Sequence, residues 1–167
     1  MVLLFLSELG MFFCSWGGLS TSGSYSFLIG TGISVPFDDS TYGFLEIQMA
    51  RYSSLKLIGY YPRSPNSSVT HQSSKLLIGA SGEFKVRKFL IKPGIYYTIL
   101  SELVKDKYRL GNWVITENIP LECRGFAIKL SFLYPIRNKS RIGIWIKKEW
   151  KTIPSLEYGI SLIGIFG

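Results

Sequence analysis

Two adjacent acids, Asp38 and Asp39, interrupt an otherwise alternating stretch, ISVPFDDSTYGFLEIQM at residues 33–49. Such a pair could belong to a calcium site, a catalytic carboxylate pair, a lectin-like contact or a turn. Calcium needs six to eight oxygens, and an EF-hand loop places its acids at alternate positions before a glycine and a final Glu. Here the next acid is Glu46, inside a predicted strand. Adjacent Asp side chains commonly cap turns by accepting from nearby backbone N–H groups, and the turn reading is preferred. Eleven acids are spread through the chain, among them Glu83, Glu102, Asp106, Glu117 and Glu122. Paired-carboxylate hydrolysis needs two of them face to face across a cleft, which spacing alone does not decide.

Other catalytic chemistry lacks its parts. The single histidine, His71, lies in a Ser-rich stretch, and no G-x-S-x-G nucleophile elbow occurs. Cys14 and Cys123 have no local signature that would pair either with His71. They read as two thiols, with one bridge between them as the alternative. One His and two Cys are too few for a zinc site. The GTG at 30–32 precedes a strand, whereas a dinucleotide-binding loop must open a helix. No metal, cofactor or enzymatic activity is therefore expected. N-x-S/T sequons at Asn66 and Asn138 matter only in a glycosylated secreted chain.

Charge is the sharpest asymmetry. The net charge is +8, and fifteen of nineteen Lys and Arg fall between residues 85 and 151 beside five acids, a local excess of ten. Trp113, Trp145 and Trp150 lie in the same region, with Lys147 and Lys148 between the last two. Aromatics beside cations could stack on bases or sugars, and a basic face could hold nucleic acid, an anionic glycan or a lipid surface. The bland reading is a solvated outer sheet face, where Lys also discourages edge pairing. Asp38, Asp39, Trp113, Trp145, Trp150, Lys147 and Lys148 are the candidate ligand-binding residues.

The elements that would carry these residues are strands. The 167 residues suit one domain, 47% are apolar and 15% aromatic, and Ala occurs only at 50, 80 and 127. That composition favours pleated surfaces over helices. In RGFAIKLSF, Phe126, Ile128, Leu130 and Phe132 share one face and Ala127, Lys129 and Ser131 the other. In RIGIWIKK, Ile142, Ile144 and Ile146 stand opposite Trp145 and Lys147. This period of two marks half-buried strands. Lys92–Pro93–Gly94 suits a type II turn between two strands, residues 60–75 read as a surface loop, and residues 99–111 allow one short helix. Eight to ten strands in a single domain spanning 1–167 predict an all-β antiparallel sandwich, jelly-roll-like in one variant. Residues 1–18 read as a first strand, with a cleaved signal as the alternative. No apolar run reaches the length of a transmembrane helix, so no transmembrane span is expected.

LSTSGSYSFLIGTGISVPFDDSTYGFLEIQM at 19–49 and YGISLIGIFG at 158–167 resemble the two ends of a β-sandwich module near the C-termini of tailed-phage tail-fibre and minor structural proteins. The resemblance implies a non-enzymatic virion structural or host-recognition module. It also implies a homo-oligomer, a trimer in that family, whose loops touch a cell-surface glycan or protein. The alternatives are a viral coat-like jelly roll holding nucleic acid on its basic face, and an envelope-associated or secreted bacterial surface structural protein. A small β-sandwich glycan lyase or hydrolase, using paired acids or Lys129 beside a Tyr, is a further one.

Overall fold

The computed structural model describes residues 11–20, 25–38, 41–52, 60–137, 140–150 and 155–165, with side chains from 28–35, 41–52, 60–136, 140–150 and 156–164. Eight strands run in chain order: β1 Met11–Ser20, β2 Tyr25–Asp38, β3 Thr41–Tyr52, β4 Ser68–Val86, β5 Phe89–Leu110, β6 Trp113–Arg137, β7 Ser140–Trp150 and β8 Ser155–Ile165. Each pairs antiparallel with the next, and β8 pairs with β1. The sheet therefore closes into a barrel. The all-β antiparallel expectation holds, but the sandwich does not: one closed sheet replaces two stacked ones, and closure removes the edges a sandwich must protect.

The two ends differ. At one end β2–β3, β4–β5 and β6–β7 are joined by residues 39–40, 87–88 and 138–139, and Met11 pairs with Ile165. Arg87 makes its turn at φ 57°. At the other end lies the fifteen-residue β3–β4 connection, and β4, β5 and β6 run on past their neighbours. Residues 68–72 of β4 pair only with β5, and β6 from Trp113 to Gly125 pairs only with β5. The result is a three-stranded sheet projecting beyond the barrel, turned at Gly111 with φ 60°. Pro120 on its free β6 edge discourages further strand pairing.

Three local expectations are corrected. Residues 99–111 are strand, not helix: Leu100 and Val104 are buried on the inner face of β5 while Leu103 faces the other way. Lys92–Pro93–Gly94 is not a turn but lies inside β5, where the β4–β5 ladder is interrupted between Ser81↔Gly94 and Phe84↔Ile91. A residue without an N–H fits that gap. Of the loop expected at 60–75, only 60–67 is loop, and 68–75 begins β4.

The barrel turns the expected faces inside out. On β3, Phe44, Glu46, Gln48, Ala50 and Tyr52 are buried while Leu45, Ile47 and Met49 are exposed. On β6, Ala127, Lys129, Ser131 and Leu133 point inward, and Phe126, Ile128, Phe132 and Tyr134 point outward. The same holds on β7, where Ile142, Ile144 and Ile146 face out and Arg141, Trp145, Lys147 and Glu149 face in. The lumen of an eight-stranded barrel is only wide enough to be filled by side chains, so small residues are needed where strands approach. A Cβ on Gly79 would stand 2.1 Å from the Ile95 carbonyl oxygen and 2.7 Å from the Tyr96 ring. Gly79 thus lets β4 and β5 curve, and Tyr96 covers the vacated space.

Candidate functional site: a charged lumen inside an apolar belt

Six acids and five cations are buried among the described residues: Glu46, Glu83, Glu102, Asp106, Glu149 and Glu157, with Lys75, Lys92, Lys129, Arg141 and Lys147. Isolated, each would be too costly to bury; paired and hydrogen-bonded, each is tolerated. Near the tight-turn end the Arg141 Nε–H donates to Glu83 at 2.9 Å, joining β7 to β4. In the middle, Glu46 pairs with Lys92 and accepts from Ser81 Oγ at 2.6 Å, Gln48 Nε2 at 2.6 Å and Tyr96 Oη at 2.7 Å. Lys129 donates to Gln48 Oε1 at 3.3 Å, with its ammonium 5.0 Å from the Trp145 ring centre. Farther along, Lys75 lies 2.5 Å from Glu149 and 2.9 Å from Glu157, and Lys147 lies 2.8 Å from both. Tyr52 Oη donates to Glu157 at 3.0 Å. These four charges join β4 to β7 and β8 across the lumen.

What remains open in the middle is a cavity of about 10 Å³ beside Glu46, Lys92 and Lys129, no more than a single water would occupy. Among the described residues the lumen is a polar core packed with ion pairs and hydrogen bonds, with no cleft between them. Of the buried acids, Glu46, Glu83, Glu149 and Glu157 each meet a Lys or Arg, which is the arrangement of a structural network.

At the mouth, His71 Nδ1 meets Glu102. Beyond it the β3–β4 connection folds back: the Tyr60 hydroxyl and the Arg63 N–H (2.9 Å) both donate to Asp106 Oδ2. The Arg63 guanidinium reaches Glu117 at 3.4 Å. The Arg63 N–H and the Tyr60 hydroxyl hold the Asp106 carboxyl below its usual value, and desolvation together with Asp106 pushes the Tyr60 phenol up to about 12.

Outside, among the described side chains, the apolar positions form a belt from β2 round to β8. On β5 it runs over residues 89–99, with Ile95 at its middle 65% exposed. Eleven residues at about 3.3 Å rise and ~40° tilt project to roughly 25 Å, the height of a membrane barrel's apolar band. Aromatic rings flank it: Phe89 against Tyr134 at the turn end (6.0 Å), Tyr97 against Phe126 toward the other (5.5 Å). Water would penalise such a surface, far beyond the few hundred Å² a soluble monomer exposes.

The sequence-derived candidates do not form one surface. Asp38 ends β2, paired with Thr41; Asp39 and the side chain of Asp38 lie outside the described residues. Trp113 is exposed at the tip of the projecting sheet, Trp150 and Lys148 face outward on β7, and Trp145 and Lys147 are buried in the lumen. Cys123 is half-buried on β6, its thiol 3.9 Å from the Arg124 carbonyl oxygen, and the side chain of Cys14 lies outside the described residues. Of the lumen residues, Glu83 enters the sequence-derived reading only as a scattered acid and Lys92 only in a turn, and Lys75, Arg141, Glu149 and Glu157 are not among its site candidates. In FLEIQMA, Leu45, Ile47 and Met49 alternate with Phe44, Glu46 and Gln48, and in GIWIKKEW, Ile144 and Ile146 alternate with Trp145, Lys147 and Glu149, an apolar row opposite a charged one.

No protein-family model and no curated protein matches the chain. Among solved structures it is similar to Ail, the attachment invasion locus protein of Yersinia pestis, with a TM-score of 0.58 at 5% identity over 95% of each chain. It is also similar to the N-terminal β-barrel domain of Pseudomonas aeruginosa OprF, with a TM-score of 0.55 at 9% identity over 95% of this chain and 98% of that one. These are outer-membrane β-barrel proteins, which corrects the expected tail-fibre relationship and the virion function drawn from it. The basis for the expected trimer falls with that relationship. The expected lack of a transmembrane span is corrected as well. Among the described residues no helix is long and apolar enough to cross a membrane, but a barrel crosses with alternating strands, each too weakly apolar to register as a helical span.

Proposed function

We propose that this chain is an integral, non-enzymatic outer-membrane protein of a bacterial envelope. In this reading it is a closed barrel that anchors an external sheet, made of the ends of β4, β5 and β6, in the lipid. The observation that carries it is the reversal of faces, with buried acids and cations paired in the lumen and a belt of Ile, Leu, Met and Phe outside. In a membrane every backbone group must be satisfied within the protein, and a closed barrel does this. The similarity in fold to outer-membrane barrels supports the same reading. The tight turns belong to the periplasmic end and the projecting sheet to the exterior, the usual asymmetry of such barrels. The ion-paired lumen favours an anchor over a pore.

The test is refolding from urea into phosphatidylcholine vesicles. The expected outcome is co-flotation with the vesicles, a shift in unheated gel migration, and no step conductance in a planar bilayer. A monodisperse folded protein without lipid or detergent would refute the reading, and steady conductance would refute the closed lumen.

A further inference from the structure

The belt ends abruptly on one side of the barrel. Across four adjacent strands the register aligns Arg51 with Ser74, Ser74 with Ser101, and Ser101 with Glu122. All four side chains are exposed on the outer surface. One step toward the turns lies an apolar row, Met49 with Leu76 and Ile99, and Ile99 is paired with Arg124. The polar row lines a groove of about 470 Å³, bounded farther out by Leu103 and Pro120; Gln72 and Glu102 line it too, the Glu102 carboxylate engaged by His71. Arg124 is held at its far end by Glu122, 2.6 Å away. No acid among the described residues pairs with Arg51.

We infer that this groove seats the phosphate of an anionic lipid headgroup, between the Arg51 guanidinium and the Ser74 and Ser101 hydroxyls, with the acyl chains over Met49, Leu76 and Ile99. The inference rests on the membrane reading above and deepens it by naming one lipid contact. Two features favour lipid as the occupant. The groove is continuous with the apolar belt, so a bound headgroup leaves its chains on the surface that already meets hydrocarbon. Its chemistry is also complementary to phosphate: a planar fork of N–H donors able to bind two oxygens, with two neutral hydroxyls beside it. Glu122 neutralises Arg124, so Arg51 carries the preference for charge and Arg124 only closes the far end.

The test uses the whole barrel in phosphatidylcholine nanodiscs titrated with phosphatidylglycerol, following backbone amide resonances. The expected result is saturable shifts at residues 51, 74 and 101, with the midpoint raised at least threefold in R51Q and raised by less in R51K, which keeps the charge but loses the fork. Equal shifts around the whole belt, or an unchanged midpoint in R51Q, would overturn the inference and leave the membrane reading intact. The same shifts produced by inorganic phosphate in pure phosphatidylcholine would overturn lipid as the occupant. A chain that never enters phosphatidylcholine nanodiscs would overturn both, at the insertion step, before any titration.

Discussion

Replacing Ile95 by Lys separates a membrane barrel from a soluble one by the sign of its effect. Ile95 lies at the middle of the β5 belt, 65% exposed, between Ala80 on β4 and Ile128 on β6. Neither neighbour offers a partner for an ammonium. Were this surface in water, the substitution would remove an exposed hydrophobe and change stability by no more than about 0.5 kcal/mol. In a bilayer, a Lys at the midplane of a barrel's lipid face costs about 2–4 kcal/mol. That lowers the folding equilibrium constant by roughly 30- to 900-fold, since about 1.4 kcal/mol is tenfold. Ile136, at the turn end of the belt and 53% exposed, is the control: there the same charge costs about 0–1 kcal/mol because it reaches the headgroups. The assay is equilibrium folding into phosphatidylcholine vesicles against guanidinium, read by tryptophan fluorescence and gel migration. If I95K and I136K are equally stable, or if I95K is more stable than the native chain, the belt does not face lipid and the reasoning fails.

Lys147 and Lys148 are neighbours on opposite faces of β7. Lys147→Met leaves Lys75 as the one described cation beside Glu149 and Glu157 and is expected to cost about 3–5 kcal/mol, whereas Lys148→Met, on the outer face, is expected to be neutral or stabilising; both are read from guanidinium midpoints in the same vesicles. Gly79→Ala drives a methyl against the Ile95 carbonyl and the Tyr96 ring, with an expected loss of about 1–3 kcal/mol. Arg87→Gly relieves a left-handed backbone and is expected to raise stability by about 1 kcal/mol, seen as a higher midpoint. The Asp106 carboxyl is held below its unfolded value by the Arg63 N–H and the Tyr60 hydroxyl. Its hold on residues 60–63 is thus complete above the unfolded carboxylate value of about 4 and is lost as pH falls through the lower folded value. The protection factor of the residue-63 amide, the observed exchange corrected for the intrinsic rate, is expected to be high at pH 5 and to be lost as the pH falls well below the unfolded carboxylate value of about 4, and Asp106→Asn is expected to lower it at neutral pH.

Strand periodicity was legible in the sequence; the side facing solvent was not. The alternation of Phe126, Ile128, Leu130 and Phe132 with Ala127, Lys129 and Ser131 identifies a strand in any medium. Placing the apolar face inward assumes water outside, and that assumption put Lys129 and Lys147 on a solvated surface when both are buried among acids and Trp145. Cations find their acids on distant strands: Arg141 meets Glu83, Lys92 meets Glu46, and Lys75 meets Glu149 and Glu157. No local window reveals such pairings. Closure was equally hidden, because it depends on β1 meeting β8 across the length of the chain. Pro93 shows a local signal overridden by tertiary context: Lys–Pro–Gly favours a turn, but a break in the β4–β5 ladder accommodates the ring within the strand. A row of Ile, Leu, Met and Phe opposite a row holding polar and charged residues, on β3, β6 and β7, was the available sign of a lipid exterior.

The most direct test is a spin-label scan along residues 89–99 of β5 in phosphatidylcholine vesicles, with Cys14 and Cys123 replaced by Ser, comparing collision with oxygen and with a water-soluble nickel chelate. Labels at 91, 95, 97 and 99 should collide freely with oxygen and poorly with nickel, most strongly at 95, and labels at 92, 94, 96 and 98 should meet neither. Nickel reaching residues 91, 95 and 97 as readily as it reaches the tip of the projecting sheet would place the belt in water and contradict the membrane barrel.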